Sequence, residues 1–152
     1  MATRSVISKI DKKVSNGEIT AVYCHSDGYL SWNGKILNEH YRNENKVDEL
    51  LSNGGISMLN ENIGKPGIDF NDYKKFGSLK QSRFYHRDRG DELKIQTWND
   101  GLRSFVEESK SIYGAEFIYM FEEVENGEGI WYVYDVYGDE DGWVKLSDAL
   151  NG

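Results

Sequence analysis

Two short segments of the chain carry side chains that could do chemistry, and the first covers residues 23–29. In an extended strand His25 and Asp27 lie on one face, whereas Cys24 lies on the other. A carboxylate commonly orients an imidazole, so we expect a hydrogen bond between His25 and Asp27. Cys24 is badly placed to pair with His25 as nucleophile and base, and we expect a buried, unreactive thiol. The alternative is a turn at the strand end, in which Asp27 caps backbone amides and Gly28 supplies a positive φ.

The second segment, residues 85–90, reads Tyr-His-Arg-Asp-Arg-Gly and contains the letters of the protein-kinase catalytic loop. A kinase also needs a glycine-rich loop, a strand lysine, an aspartate for magnesium and a much longer chain. We therefore reject that match. Guanidinium groups hold phosphates and carboxylates well, and Arg87 and Arg89 could do so here. The alternative is that these two arginines pair with Asp88 and Asp91.

Together the two segments predict a small-ligand pocket made of His25, Asp27, His86, Arg87 and Arg89. Two charged strand ends in one small sheet can share an edge, so we expect His25 and His86 to lie near one another. Such a pocket would suit a protein that sequesters a nucleotide, or a small hydrolase.

Several other classes of site lack the residues they need. The three histidines, His25, His40 and His86, do not have the spacing of zinc-binding motifs. A single cysteine, Cys24, leaves no internal disulfide. The glycine motifs of serine hydrolases, phosphate-binding loops and dinucleotide-binding folds do not occur. We expect no metal and no cofactor, and an enzyme is the less favoured class.

The net charge of −8 lies almost entirely at the C-terminal end. Residues 1–110 carry 17 basic and 16 acidic side chains, whereas residues 111–152 carry ten acidic side chains and only Lys145. The overall sign argues against direct nucleic-acid binding, which needs Lys and Arg to neutralise phosphates. The acidic end could instead imitate a phosphate backbone in a partner's basic groove, or it could be only a solvated face.

Aromatic side chains crowd the same acidic end, and alternation along its strands would place about half of them outside. Acidic and aromatic surfaces of this kind favour the binding of a partner over catalysis. The binding residues predicted there are Glu125, Glu128, Trp131, Asp139, Glu140, Asp141 and Trp143.

Hydrophobic periodicity and turn residues predict alternating groups of strands and helices. The expected strands cover residues 6–10, 19–24, 82–86, 93–98, 116–122 and 130–137, and the expected helices cover 33–41, 43–53, 102–113 and 144–150, with a long loop over 60–82. This order predicts one α+β domain over residues 1–152, with a mainly antiparallel sheet and two or three covering helices. Asn16-Gly17 suits the first hairpin turn.

The helix over residues 102–113 has the clearest pattern in the chain. Asn99 or Asp100 is expected to cap it, and Gly114 to end it. We expect Leu102, Phe105, Val106 and Ile112 to pack against the sheet.

No apolar run approaches the roughly 18 to 20 residues that span a bilayer. The first ten residues lack the apolar core of a secretory signal. We therefore expect a soluble, intracellular protein.

A set of short motifs resembles a known family. The matching residues are Ala2 to Ser5, Tyr23 to Tyr29, Gly34, Leu37, His40, Tyr41, Gly54 to Ser57 and Tyr85 to Gly90. They resemble a family of small accessory proteins from tailed bacteriophages. The chain departs from the family at Ser26, Leu30, Gly55 and Asp91, where the family has Trp, Pro, Asp and Glu.

The resemblance covers residues 1–92 and implies a phage origin and a non-structural protein. Such proteins usually block host defence or redirect host machinery in the cytoplasm of the infected bacterium. The first hypothesis is therefore an inhibitor that presents its acidic end to a host protein or nucleoprotein complex, of the anti-CRISPR or anti-restriction type. The second is the small-ligand protein described above. Either hypothesis is compatible with a homodimer.

Overall fold

The computed structural model describes residues 2–13, 17–138 and 142–151, and in them eight strands form one sheet. The strands are β1 (Ser5–Asp11), β2 (Glu18–Cys24), β3 (Ile56–Met58), β4 (Arg83–Phe84), β5 (Gln96–Trp98), β6 (Phe117–Glu125), β7 (Glu128–Asp135) and β8 (Val144–Lys145). Their order along the sheet is β4-β3-β2-β1-β6-β7-β8. β5 also pairs with β2, so β3 and β5 share one edge of that strand.

In the same described residues six α-helices accompany the sheet. They are α1 (Lys35–His40), α2 (Glu44–Ser52), α3 (Tyr73–Ser78), α4 (Tyr85–Arg89), α5 (Leu102–Tyr113) and α6 (Leu146–Asn151). A π-helical turn, Leu30–Gly34, leads directly into α1. The Asn43 side chain caps α2 by accepting a hydrogen bond from the Asn45 amide at 2.8 Å, which is the cap that its residue type favours.

The prediction of an α+β fold with a mainly antiparallel sheet is confirmed. Five strand pairings are antiparallel, including the predicted hairpins β1–β2 and β6–β7. The pairings β1–β6 and β2–β3 are parallel. The expected turn residue Asn16 lies outside the described residues.

The buried core has two halves, because strand residues alternate between the two faces of a sheet. On the first face Ile7 and Tyr119 pack with residues of α1, α2 and α6. On the second face Val6 and Ile118 pack with Phe105 of α5. In the described part of the chain both faces therefore carry helices, with α1, α2 and α6 on the first face and α5 on the second.

α5 differs from its prediction at both ends. Phe105 and Val106 are buried, but Leu102 is 41% exposed and Ile112 is 57% exposed. The expectation that all four pack against the sheet is wrong for Leu102 and Ile112, which lie in the first and last turns. The residue before the helix is Gly101, which offers no side-chain cap, so the expected polar cap is also wrong.

The middle of the chain is more helical than predicted. The strand expected over residues 82–86 ends at Phe84, where the chain turns into α4. The expected loop over residues 60–82 contains α3, and the Asp72 carboxylate caps it by accepting from the Lys75 amide at 3.2 Å. The short strand β3 follows the Gly54 turn and has no counterpart in the prediction.

Candidate functional site

The turn after β2 is built by close packing rather than by a catalytic pair. The Gly28 amide donates to the Thr3 carbonyl at 2.9 Å, and the Tyr119 hydroxyl donates to the Gly28 carbonyl at 2.6 Å. A Cβ atom at Gly28 would lie 2.8 Å from the Thr3 oxygen and from Ser5 Cβ. The positive φ of this turn belongs to Asp27, at 54°, and not to Gly28 as expected.

Cys24 lies behind this turn and is fully buried, as predicted. Asn33 Nδ2 donates to Cys24 Sγ at 3.3 Å and to Ser5 Oγ at 3.1 Å. Burial raises the pKa of the Cys24 thiol to about 11. A thiol in this state supplies almost no thiolate near neutral pH, so Cys24 is a structural residue.

The expected hydrogen bond between His25 and Asp27 is not formed. His25 Nδ1 instead shares a hydrogen bond of 2.7 Å with the Tyr23 hydroxyl. The Asp27 carboxylate accepts from the Tyr29 hydroxyl at 3.1 Å. Each side chain therefore has a tyrosine partner, and the pair that would orient an imidazole is absent at this turn.

The Arg87 side chain is bound by other groups of the fold. Its guanidinium donates to the carbonyls of Ile63 and Ser82 at 2.9 and 3.1 Å and pairs with Asp88 at 3.0 Å. The Asp88 carboxylate also accepts from the Phe84 amide at 2.8 Å. The prediction that Arg87 is free to hold a ligand is therefore wrong, and the alternative of pairing with Asp88 is confirmed.

A cleft of about 760 Å³ opens beside the end of β2, on the face that α5 covers. It lies between the C-terminal end of α5 and the stretch that runs from α4 toward β5. It is lined by Arg4, Tyr23, Gly55, Tyr85, Arg89, Asp91, Glu92, Lys94, Ile112 and Tyr113. A volume of this size is ordinary for a small-molecule site, for which about 300–1,000 Å³ is typical.

The cleft is locally cationic although the chain is acidic. Its lining has three basic residues and two acidic ones, a net charge of +1, against −8 for the whole chain. Within the described part of the chain, Arg4 and Lys94 take part in no ion pair. Two cations are therefore available to an incoming anion.

Arg89 is held on three sides. Its guanidinium makes two hydrogen bonds to the Asp91 carboxylate, at 2.9 and 2.6 Å. The same group lies over the rings of Tyr85 and Phe70, at 4.8 and 4.9 Å from their centroids. The hydrogen bond from Arg89 holds the pKa of the Asp91 carboxyl below its usual value. The expected alternative, an Arg89–Asp91 pair, is confirmed.

Tyrosine rings form the opposite wall. Tyr23 and Tyr113 are stacked, with centroids 5.6 Å apart and planes inclined by 20°. Burial raises the pKa of both hydroxyls, so both stay protonated near neutral pH. The Tyr23 hydroxyl already shares a hydrogen bond with His25, and the Tyr113 hydroxyl can donate one to a ligand. The cleft thus combines flat apolar surfaces, hydroxyl donors and cations.

The predicted pocket and the observed cleft share one lining residue, Arg89. His25 reaches the cleft only through its hydrogen bond to Tyr23, and His86 only through the bond of its ring to the Asp91 carbonyl at 2.7 Å. Asp27 and Arg87 do not line it. Sequence reasoning missed Arg4, Tyr23, Tyr85, Lys94 and Tyr113. One signal for three of them was present, since Arg4, Tyr23 and Tyr85 all lie in the short motifs singled out in the sequence.

The acidic end is less continuous than expected. Trp131 is only 3% exposed, and its indole donates to the Tyr41 carbonyl at 2.6 Å; the prediction that it belongs to an exposed binding surface is wrong. Trp143 is half-buried against Tyr134, with centroids 5.6 Å apart. Glu122 pairs with Lys12, which neutralises part of the charge.

Glu125 and Glu128 are exposed at the tip of the β6–β7 hairpin, where they face each other in register. The other predicted acidic residues, Asp139, Glu140 and Asp141, lie outside the described residues. The hairpin tip therefore presents two neighbouring carboxylates of the predicted surface to solvent.

Comparison with protein-family models, with curated proteins and with solved structures finds no match for this chain. In the ranges 2–13, 17–138 and 142–151, no group of three or more His, Cys, Asp or Glu side chains is placed to hold a metal ion. Over those same ranges, every helix is too short or too polar to cross a bilayer.

Proposed function

We propose that the protein works by binding and that its cleft sequesters a small anion bearing a flat ring, which is the chemistry of a nucleotide. The observation that carries this proposal is the convergence of Arg4, Arg89 and Lys94 with three tyrosines in one cleft. Cations attract the anionic group, and tyrosine faces and hydroxyls suit a ring with polar edges.

Binding is favoured over catalysis by the state of the reactive groups. The Cys24 thiol is buried and protonated, and His25 is hydrogen-bonded to a tyrosine rather than to the Asp27 carboxylate. Nucleophilic catalysis needs a nucleophile beside a base. The cleft lining offers cations and hydroxyls that can hold a ligand.

The biological setting comes from the family resemblance. A phage accessory protein that removes a nucleotide from the cytoplasm of the infected bacterium would deprive a host defence system of a signal or substrate. Under this proposal the protein needs neither a cofactor nor a membrane.

A ligand panel with thermal unfolding tests the proposal. A bound ligand at about one hundred times its Kd stabilises a fold by about 2.7 kcal/mol, which for a chain of this size raises Tm by about 5–10 °C. We expect nucleoside monophosphates to raise Tm, whereas neutral sugars leave it unchanged. A panel in which no nucleotide raises Tm would refute the proposal.

Two glycine variants locate the binding. A Cβ atom at Gly55 would meet Tyr85 at 3.5 Å, an ordinary contact, so Gly55→Asp should fold and place a carboxylate in the cleft. Gly77→Asp adds the same charge on α3, where a Cβ meets no atom within 4 Å. We expect Gly55→Asp, and not Gly77→Asp, to abolish the nucleotide shift. Equal shifts in both variants would place the ligand elsewhere.

The second candidate is the inhibitor that presents its acidic end to a host defence complex. One observation favours it: Glu125 lies directly opposite Glu128, and like charges in that position cost stability. A function that uses both carboxylates would account for this cost.

Charge reversal at the hairpin tip tests this candidate. Glu125→Lys with Glu128→Lys should weaken association with a CRISPR or restriction complex, and added salt should weaken the wild-type association in the same way. Reversal of Asp139, Glu140 and Asp141 extends the test to the rest of the predicted surface. Unchanged affinity in both variants would leave the acidity as a solvated face.

A further inference from the structure

The Arg89–Asp91 pair already places one anionic group in the cleft. Both oxygens of the Asp91 carboxylate accept from Arg89, through Nε and Nη2. This two-point contact is the one that a guanidinium also makes with a phosphate. Both residues line the cleft, so the carboxylate already occupies the position of an anionic group.

The two partners differ in the number of side chains that they contact. Arg89 lies over the rings of Tyr85 and Phe70 in addition to its contact with the carboxylate, and its side chain is 49% exposed. The Asp91 side chain is 39% exposed and has Arg89 as its only side-chain partner among the described residues. Exposed ion pairs contribute little to stability, so this carboxylate can turn into water at small cost.

We propose that the ligand binds through a phosphate that takes the place of the Asp91 carboxylate on Arg89, with Arg4 and Lys94 as further cations. This inference rests on the proposed function of the cleft. Once Asp91 has turned away, three cations face Glu92 alone, a net of two positive charges. A phosphate monoester carries nearly two negative charges at neutral pH, whereas a carboxylate carries one, and the match therefore favours the phosphate.

Calorimetric titration with three probes tests the inference on the whole chain. The probes are adenosine monophosphate, adenosine and inorganic phosphate, and the proteins are wild type, Asp91→Asn and Glu92→Gln. Asp91→Asn removes the internal competitor. Glu92→Gln is the matched control, because it removes a charge from the same cleft but has no hydrogen bond or ion pair to Arg89 among the described residues.

We expect adenosine monophosphate to bind more tightly than either adenosine or phosphate. Asp91→Asn should tighten its binding by about two- to five-fold, the range that a released exposed ion pair allows. It should leave adenosine binding unchanged, and Glu92→Gln should have a smaller effect. Thermal unfolding of each variant confirms that the cleft residues are presented by a folded chain.

The alternative outcomes separate the inference from the function on which it rests. Equal tightening by Asp91→Asn and Glu92→Gln would show a general charge effect and overturn the displacement of Asp91. Equal binding of adenosine and its monophosphate would overturn recognition through phosphate while leaving a ligand in the cleft. Failure of all three probes to bind any of the proteins would overturn both the inference and the proposed nucleotide function.

Discussion

Cys24 provides a pH test of the packing behind the cleft. Burial raises the pKa of its thiol from 9.0 to about 11. A thiol with a higher pKa in the folded than in the unfolded chain stabilises the fold only while it is protonated. The contribution is complete below the unfolded value of 9.0 and is lost as the pH rises toward about 11.

The magnitude follows from the size of the shift. Two pKa units correspond to about 3 kcal/mol in the free energy of unfolding. Between about pH 8 and about pH 10 the loss is about 1.3 kcal/mol, because only the unfolded thiol ionises appreciably over that range.

Urea unfolding of wild type and Cys24→Ser under reducing conditions isolates the contribution of the thiol to the free energy of unfolding. Burial also raises the pKa of Tyr41 and Tyr119, but these hydroxyls titrate in both proteins. The packing change caused by serine is the same at every pH. The difference between the two free energies of unfolding should therefore shrink by about 1.3 kcal/mol from about pH 8 to about pH 10.

Parallel curves for the two proteins would refute the reasoning, because the thiol would then ionise equally in the folded and unfolded chains. A thiol-specific reagent supplies a second measurement. The folded protein should react far more slowly than the urea-unfolded one, since attack requires the thiolate.

Three further predictions concern stability. Phe105→Ala should lower the free energy of unfolding by about 3–5 kcal/mol, since this buried ring fills the core beneath α5; a small change in urea unfolding would contradict that packing. Gly28→Ala should cost about 1–3 kcal/mol, because its Cβ would lie 2.8 Å from a backbone oxygen, while Gly77→Ala should cost nothing, with no atom within 4 Å; equal melting temperatures would argue against the close turn. Glu125→Lys should stabilise the fold by about 0.2–1 kcal/mol at low salt by relieving its repulsion with Glu128, and a gain that persists in high salt would exclude a charge effect.

Local patterns predicted the two hairpins and the helices α2 and α5, but not β3, α3 or α4, nor which way the side chains point. The hairpins follow from alternating apolar residues, and the Asn43 cap follows from its side chain. Arg87 and Arg89 show the limit. Two residues apart in a strand, they would lie on one face, whereas in the helical turn α4 they point about 200° apart. One therefore enters the fold and the other lines the cleft.

The cleft itself has no local signature. Its walls come from Arg4, the end of β2, Gly55, residues 85–94 and the end of α5. They meet because β3 and β5 share one edge of β2, which brings the connection between β4 and β5 beside the end of β2. The parallel pairing of β2 with the three-residue strand β3 depends on tertiary packing, and hydrophobic periodicity along the sequence does not predict it. The predicted pocket therefore shares one arginine, Arg89, with the lining of the observed cleft, and its other four residues do not line the cleft.

An acidic chain can hold an anion only if nearby cations outweigh distant carboxylates. The lining carries +1 and the chain −8, so the remaining residues carry −9. At physiological ionic strength the Debye length is about 8 Å, so exposed carboxylates farther away are largely screened. An anion in contact with Arg4 or Lys94 is too close to them for comparable screening. Added salt therefore weakens the repulsion from the distant carboxylates more than it weakens the attraction to the lining cations. The nucleotide affinity should then fall less steeply with salt concentration than it would if three cations acted in a neutral chain.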